Sequence, residues 1–135
     1  MIECLVSAII LAVGIAGVVG LQVRSLQSSN HAKSVSAAII LSEDIIERVR
    51  ANVDNRNQYK LSKKIDPNAC QTMPNYNAAA RVSRQDLDQW EAKVACELPD
   101  PNVEVSFDGD TITVSIDWAG SNPAERHSHS VDALL

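Results

Sequence analysis

The N-terminal end of the chain contains twenty consecutive residues without a charge, from Cys4 to Val23. A bilayer core about 30 Å thick needs roughly 20 mostly apolar residues of helix to cross it. Arg24 follows the run directly, and Glu3 stands just before it. A cleaved secretory signal has a positive stretch ahead of a shorter apolar core, but no Lys or Arg precedes this run. The sequence therefore predicts a membrane-spanning helix.

The predicted helix continues beyond the apolar run, because no Gly or Pro interrupts it between Gly20 and Val53. We expect one helix from Ile2 to about Val53, roughly 80 Å long at 1.5 Å per residue. Its second half is amphipathic, with charged residues on one face and an apolar stripe on the other. The stripe consists of Val35, Ala38, Ile39, Ile45, Ile46, Val49 and Val53. We expect residues 1–23 to form a membrane or filament-core half, and residues 24–135 a head domain built on this stripe.

Three glycines, Gly14, Gly17 and Gly20, recur at a spacing of three in the membrane half. Small residues let helices approach closely in lipid, but Gly is also generally commoner in membrane helices. Both explanations of the spacing remain open at this level. In the second half, Asp44 and Arg48 are four residues apart, and we expect a solvated pair worth roughly a few tenths of a kcal/mol.

Two segments of the head have different patterns. From Asp54 to Val82 the sequence is rich in Asn, Asp, Gln and Pro without periodicity, so we expect an irregular connection. Within it we expect the cluster Lys60, Lys63 and Lys64 to lie in a solvated loop. Residues 83–97 then have a helical pattern, with Leu87, Trp90 and Val94 recurring on one face. We expect Ser83 and Asp86 to form a capping pair, and Pro99 and Pro101 lie beyond the end.

The C-terminal part alternates apolar and polar residues, which is typical of strands. Two alternating runs flank Asp108 and Gly109, a dipeptide suited to a two-residue hairpin turn. We expect the apolar members to share one buried face: Val103, Val105, Phe107, Ile112, Val114, Ile116 and Trp118. A third, weaker strand is expected from Arg126 to Asp132. The predicted fold class is therefore α+β, a long N-terminal helix packed on a small three-stranded antiparallel sheet.

Cys70 and Cys96 both lie in the head, and outside the cytoplasm they are candidates for one disulfide. Two free thiols are the alternative. Closing a loop of about 27 residues stabilises a chain by roughly 3 to 4 kcal/mol. His127 and His129 would share a strand face, but two histidines are an incomplete zinc site, since zinc usually takes three or four protein ligands.

No residue pattern predicts a catalytic, cofactor-binding or metal site. The chain has neither a nucleophile motif nor a glycine-rich phosphate loop. The formal net charge of −5 also argues against a nucleic-acid surface, which needs clustered Lys and Arg. We therefore expect a non-enzymatic protein without a small-molecule substrate, whose function depends on its surfaces.

The N-terminus resembles that of type IV pilins and pseudopilins, in which a glutamate precedes a long apolar helix. Further segments resemble minor pilins of the PilV type. The residues that carry the resemblance are Met1-Ile2-Glu3-Cys4-Leu5-Val6-Ser7-Ala8, residues 18–22, Glu97-Leu98-Pro99 and Ile116-Asp117-Trp118-Ala119-Gly120. The resemblance implies a type IV pilin-like fold and a subunit that joins a minor-pilin complex priming and capping a pilus. It also implies twitching motility and adhesion.

The resemblance assigns a role to Glu3, whose carboxylate would pair with the free N-terminal amine of a neighbouring subunit and set its register. Without the family, a carboxylate that simply reaches the headgroup water is the simpler explanation. The expected partners are other minor pilins, the major pilin and a tip adhesin. The expected location is the inner membrane, with the head in the periplasm, and then the pilus.

Processing is also implied by the resemblance. Pilin precursors carry a basic leader ending in Gly, which is cut before an N-methylated Phe, and Met1 aligns with the third residue of a mature pilin. We therefore expect the leader and first mature residues upstream of Met1. The alternatives are a minor pseudopilin of type II secretion and a single-span envelope protein that never assembles.

Overall fold

The long N-terminal helix is present in the computed structural model, which describes residues 2–71, 81–120 and 124–135. Helix α1 covers Ile2–Ala51. It ends two residues before the predicted boundary, because Asn52 leaves the helical region with φ −136° and ψ 45°. The chain divides into two compact units, Met1–Lys33 and Ser34–Leu135. The second unit is the head.

The head contains four antiparallel strands in the order β1-β2-β3-β4, so the prediction of three strands was wrong. The strands are β1 Leu61–Lys64, β2 Asn102–Asp108, β3 Thr111–Ala119 and β4 Arg126–Leu134. The additional strand is β1, which lies in the region expected to be irregular. Its sequence Leu-Ser-Lys-Lys has no alternation, and it is a strand because it pairs with β2, with Leu61 opposite Val105.

The rest of the segment between the two helices is also more regular than expected. A 3₁₀ segment covers Val53–Tyr59 and another covers Pro67–Gln71. The three lysines are exposed, as predicted, but the expected loop is wrong for Lys63 and Lys64, which belong to β1 and form ion pairs with Glu91 and Asp100. The part of the predicted connection from 72 to 80 lies outside the described residues.

The hairpin between β2 and β3 is confirmed, but its turn is shifted by one residue. Asp108 pairs with Thr111, so the two loop residues are Gly109 and Asp110. Gly109 has φ +57°, a conformation that glycine adopts without steric cost. Six of the seven predicted apolar side chains are buried and Phe107 is partly buried. The third predicted strand corresponds to β4, which is two residues longer than expected.

Helix α2 covers Val82–Glu97, close to the prediction, but its expected capping pair is wrong. The N-cap residue is Arg81, whose side chain makes no capping hydrogen bond. Ser83 lies inside the first turn, where it is buried and donates a hydrogen bond to Oε1 of Gln58 at 2.6 Å. Asp86 points to α1 instead. Tertiary partners therefore replace the local capping pattern.

One hydrophobic core fills the space between α1, α2 and the inner face of the sheet. Trp90 and Trp118 are its largest members, and the indole N–H of Trp90 donates to the carbonyl of Leu41 at 2.8 Å. The buried residues of α1 are Ala38, Leu41, Ser42, Ile45, Ile46 and Val49.

The predicted stripe on α1 needs two corrections. Ile39 is 43% exposed and Val53, beyond the end of the helix, is 39% exposed. Leu41, which the stripe omitted, is buried. Ile39 lies on the margin of the stripe, two turns before Ile46, beside the fully buried Ala38.

Candidate functional site

The first part of α1 exposes apolar side chains on every face. An 18-residue window of this helix has a mean hydropathy of 2.6, and none of it is buried within the chain. Ile2 is 77% exposed, and the large aliphatic residues that follow are about half exposed or more: Leu5, Val6, Ile9, Ile10, Leu11, Val13, Ile15, Val18, Val19, Leu21 and Val23. Apolar surface of this extent is stable in a bilayer or against other chains, and not in water.

Glu3 lies in the first turn of this helix. Its backbone carbonyl accepts a hydrogen bond from the hydroxyl of Ser7 at 2.8 Å. A carboxylate in the first turn is favourable for the helix dipole. The structure therefore places an acidic group at the beginning of the exposed apolar surface, where the sequence analysis expected it.

The glycines at 14, 17 and 20 have open surroundings. A Cβ atom added at any of the three would meet nothing within 4 Å, apart from the helix backbone and chain neighbours. None of them has a positive φ. The folded chain itself therefore supplies no steric reason for glycine at these positions.

A cluster of polar side chains joins α2 to α1, and we call it the Arg48 cluster: Asp44, Arg48, Tyr59, Asp86 and Lys93. The Arg48 guanidinium donates from Nε to Asp44 Oδ1 at 2.9 Å and from Nη1 to Asp86 Oδ1 at 3.1 Å. Tyr59 donates its hydroxyl proton to Asp86 Oδ2 at 2.6 Å. The ammonium of Lys93 lies 2.8 Å from Asp44 Oδ2.

The prediction that Asp44 and Arg48 form a solvated surface pair was therefore wrong. Their side chains are only 27% and 20% exposed, because α2 and the 3₁₀ segment cover them. Asp86 is 22% exposed. The pair belongs to a three-way contact that fixes α2 against α1, which local spacing along one helix does not reveal.

The Arg48 cluster shifts the pKa values of its members. Burial acts to raise the pKa of the Asp44 carboxyl, but hydrogen bonds from Arg48 and Lys93 outweigh it, so this pKa lies below its ordinary value. Burial, together with the hydrogen bond to Asp86, raises the pKa of the Tyr59 hydroxyl to about 12. At neutral pH the Asp44 carboxyl and the Arg48 guanidinium are therefore charged, and the Tyr59 phenol is neutral.

Cys70 and Cys96 are joined by a disulfide, the pairing that the sequence analysis favoured. It ties the second 3₁₀ segment to the end of α2. Disulfides persist in oxidising compartments such as the bacterial periplasm and the cell surface. The bond therefore fits a head that lies outside the cytoplasm.

The two histidines of β4 alternate with outward residues, as expected, and are half-buried. The ring of His127 lies 6.0 Å from the ring of Trp118. Among residues 2–71, 81–120 and 124–135, no three His, Cys, Asp or Glu side chains are placed to hold a metal ion.

A helix with an exposed apolar first part, followed by a head in which an antiparallel sheet packs on the rest of that helix, is consistent with the α+β fold of type IV pilins. The sequence model of the Tt1218-like family, described as type IV pilin Tt1218, matches residues 20–96, more than half of the chain. The chain therefore belongs to the Tt1218-like family of type IV pilins. No curated protein and no solved structure matches it.

Membership of this family supports a structural subunit that associates with other pilins, and pilins are structural rather than enzymatic proteins. The exposed apolar helix fits anchoring in a membrane followed by incorporation into a pilus. Sequence reasoning missed two features of the head, β1 and the Arg48 cluster. A usable signal existed for Leu41, since Leu41, Ile45 and Val49 recur at intervals of four.

Proposed function

We propose that this chain is a minor pilin of a type IV pilus. In this proposal its helix waits in the inner membrane, with residues 1–23 as the membrane or filament-core half and the head in the periplasm. The subunit then joins a complex of minor pilins that primes assembly and caps the fibre. Its partners are other minor pilins, the major pilin and a tip adhesin, and the resulting pilus supports twitching motility and adhesion.

The exposed apolar helix supports an assembling subunit. Its aliphatic residues have no cover within the chain, so they need lipid before assembly and other helices afterwards. Gly14, Gly17 and Gly20 have no steric role inside the chain. We propose that they allow neighbouring helices to pack closely.

The observation that carries the proposal is Glu3 in the first turn of this helix. A carboxylate in the lipid region costs on the order of 2.5 to 3.5 kcal/mol on insertion scales, so it normally has a partner and a function. We propose the N-terminal amine of a neighbouring subunit as that partner. Opposite charges attract strongly in a medium of low dielectric, which would set the axial position of an incoming subunit.

The test replaces Glu3 by Ala and, separately, by Gln in the native host. Glu43→Ala is the matched control, because Glu43 is an exposed glutamate on the same helix. We expect both Glu3 variants to remain in the inner-membrane fraction at the level of the unchanged chain. We also expect both to be lost from sheared pili, whereas Glu43→Ala is incorporated. If the Glu3 variants enter the fibre normally, the register role is wrong.

The minor role has a separate test. Quantitative mass spectrometry of purified pili should find this chain far below the abundance of the major pilin, and its deletion should reduce the number of pili per cell. A fibre composed mainly of this chain would contradict a minor role but not the pilin family. Permanent residence in the membrane as a monomer would contradict an assembling subunit of any kind.

A further inference from the structure

The free edge of β4 presents an ordered row of backbone hydrogen-bonding groups. Gly120 N donates to Glu125 O at 2.7 Å, and Leu135 N donates to Asp110 O at 2.9 Å, at the two ends of the β3–β4 ladder. Because hydrogen-bonded pairs alternate in an antiparallel ladder, the odd-numbered residues of β4 bond to β3. The outward groups therefore belong to Arg126, Ser128, Ser130, Asp132 and Leu134.

Within the described residues, no further strand pairs with this edge, whose charged members are Arg126 and Asp132. The nine residues of β4 pair with β3 in continuous register without a bulge, and they contain neither Pro nor Lys. The Leu134 carbonyl accepts a hydrogen bond from Arg50 Nη2 at 2.9 Å. A long edge strand without a bulge or Pro is a template for a strand of another chain.

The opposite edge of the sheet is β1. As in β4, its even-numbered residues direct their backbone groups away from the sheet. Ile65 N donates to Pro101 O at 2.9 Å, which assigns the odd-numbered residues to the β2 side. Ser62 and Lys64 therefore direct their backbone groups away from the sheet. Among the described residues, a groove of about 470 Å³ borders β1 at Lys60, Leu61 and Lys63.

The order and direction of the strands restrict how a second copy can add. Four antiparallel strands in the order β1-β2-β3-β4 leave β1 antiparallel to β4. A second copy that is shifted sideways without rotation therefore brings its β1 antiparallel to β4 of the first copy, and the two helices point in the same direction. Antiparallel pairing of two β4 strands requires a half-turn about the sheet normal, which reverses one head relative to the other. Heads that repeat in one orientation therefore meet β4 to β1, so β1 is the compatible edge.

We propose that β4 of one head pairs antiparallel with β1 of a second copy, in a register that places Ser130 opposite Ser62. In this register Asp132, which also accepts a hydrogen bond from Thr113 of its own chain, faces Lys60. Arg126, whose guanidinium also bonds Asp100 of its own chain, faces Asp66. On the inner face, the partly buried Val131 and Leu61 meet and extend the core. The heads then form an open row, since the contact joins two different edges of the chain.

Neighbouring registers are less favourable. Moving the second copy by two residues in one direction places Lys64 opposite Arg126, two cations that each pair with Asp100 of their own chain and gain no attraction from each other. Moving it by two residues in the other direction leaves no pair of opposite charges. Charge complementarity therefore selects one register of the three. Pairing of the heads requires that the chain is a pilin but not that it is a minor pilin. The pairing can therefore be refuted while the proposed function holds.

The first test is disulfide trapping of the full chain in detergent micelles, in a Cys4→Ser background. Opposed hydrogen-bonded residues have Cα atoms about 5.5 Å apart, within the range of a disulfide. The double variant Ser62→Cys with Ser130→Cys should form a ladder of dimers and longer species under mild oxidation. The matched control, Ser62→Cys with Ser128→Cys, should stay monomeric.

Two results of the trapping experiment would overturn the proposal. One is equal cross-linking of the test and control pairs, which indicates random collision. The other is efficient dimerisation of Ser130→Cys alone, which indicates pairing of two β4 strands.

A charge exchange tests the register independently. In the trapping background, Lys60→Glu and Asp132→Lys should each reduce the ladder, because each creates a like-charged pair across the contact. The two changes together should restore it. Unfolding midpoints of all variants should match, which separates the contact from the stability of the head. Failure of the double change to restore the ladder, with intact heads, refutes the proposed register.

Discussion

Replacement of Ile46 by Ala tests how the head packs on α1, and Ile39→Ala is its matched control. The two isoleucines are seven positions apart on nearly the same face of the helix. Ile46 is 1% exposed, whereas Ile39 is 43% exposed. Sequence periodicity treats them alike, but the structure predicts very different costs.

The magnitudes follow from burial. Ile→Ala removes three carbon atoms, and at about 0.8 kcal/mol per buried CH₂ the transfer contribution at Ile46 is about 2.4 kcal/mol. The cavity left in a closely packed core adds to this, so we expect a total of about 3 to 4 kcal/mol. At Ile39, burial is about half and no enclosed cavity forms. The higher helix propensity of Ala offsets part of the loss, leaving about 1 kcal/mol or less.

The assay is urea unfolding of the full chain in detergent, followed by tryptophan fluorescence. Both tryptophans, Trp90 and Trp118, are buried in the head, so their emission reports on this unit. Ile46→Ala should lower the midpoint strongly and Ile39→Ala slightly, with unchanged slopes. Equal losses for the two variants would refute the reasoning, since they would mean that the head covers both positions alike.

Three further predictions concern the disulfide and the Arg48 cluster. Replacing Cys70 and Cys96 together by Ser should lower the free energy of unfolding by roughly 3 to 4 kcal/mol, and a reducing agent should then have no further effect on the midpoint. The pKa of Tyr59 is raised in the folded head to about 12, so the folded state favours the neutral phenol. The resulting contribution to the free energy of unfolding is fully present below the ordinary pKa of 10.0 and is lost as pH rises from 10 to 12. Unfolding midpoints measured across that range should fall less steeply in Tyr59→Phe. The pKa of Asp44 lies below its ordinary 3.8, so its contribution is present above that value and lost as pH falls through the lowered pKa. Midpoints below pH 4 should therefore fall less in Asp44→Asn than in the unchanged chain, and identical acid profiles would contradict the charge assignment.

Local patterns were sufficient where an element depends on its own residues. The uncharged run from Cys4 to Val23 defined the apolar helix, and alternation around Gly109 defined the hairpin. The spacing of Leu87, Trp90 and Val94 defined α2. For the candidate site, the sequence predicted roles for Glu3 and for the three glycines. The structure of a single chain does not test these roles, because the proposed partners are other subunits.

The sequence by itself determined the order and type of the main elements, since periods of 3.6 and 2 residues are properties of the chain alone. Tertiary structure decided what the periods do not encode. Leu61–Lys64 is a strand because β2 offers a partner, and Asp44 and Arg48 are half-buried because α2 packs over them. These outcomes depend on residues far away in the sequence, so hydrogen bonds and burial become definite only when the helices and the sheet have packed together.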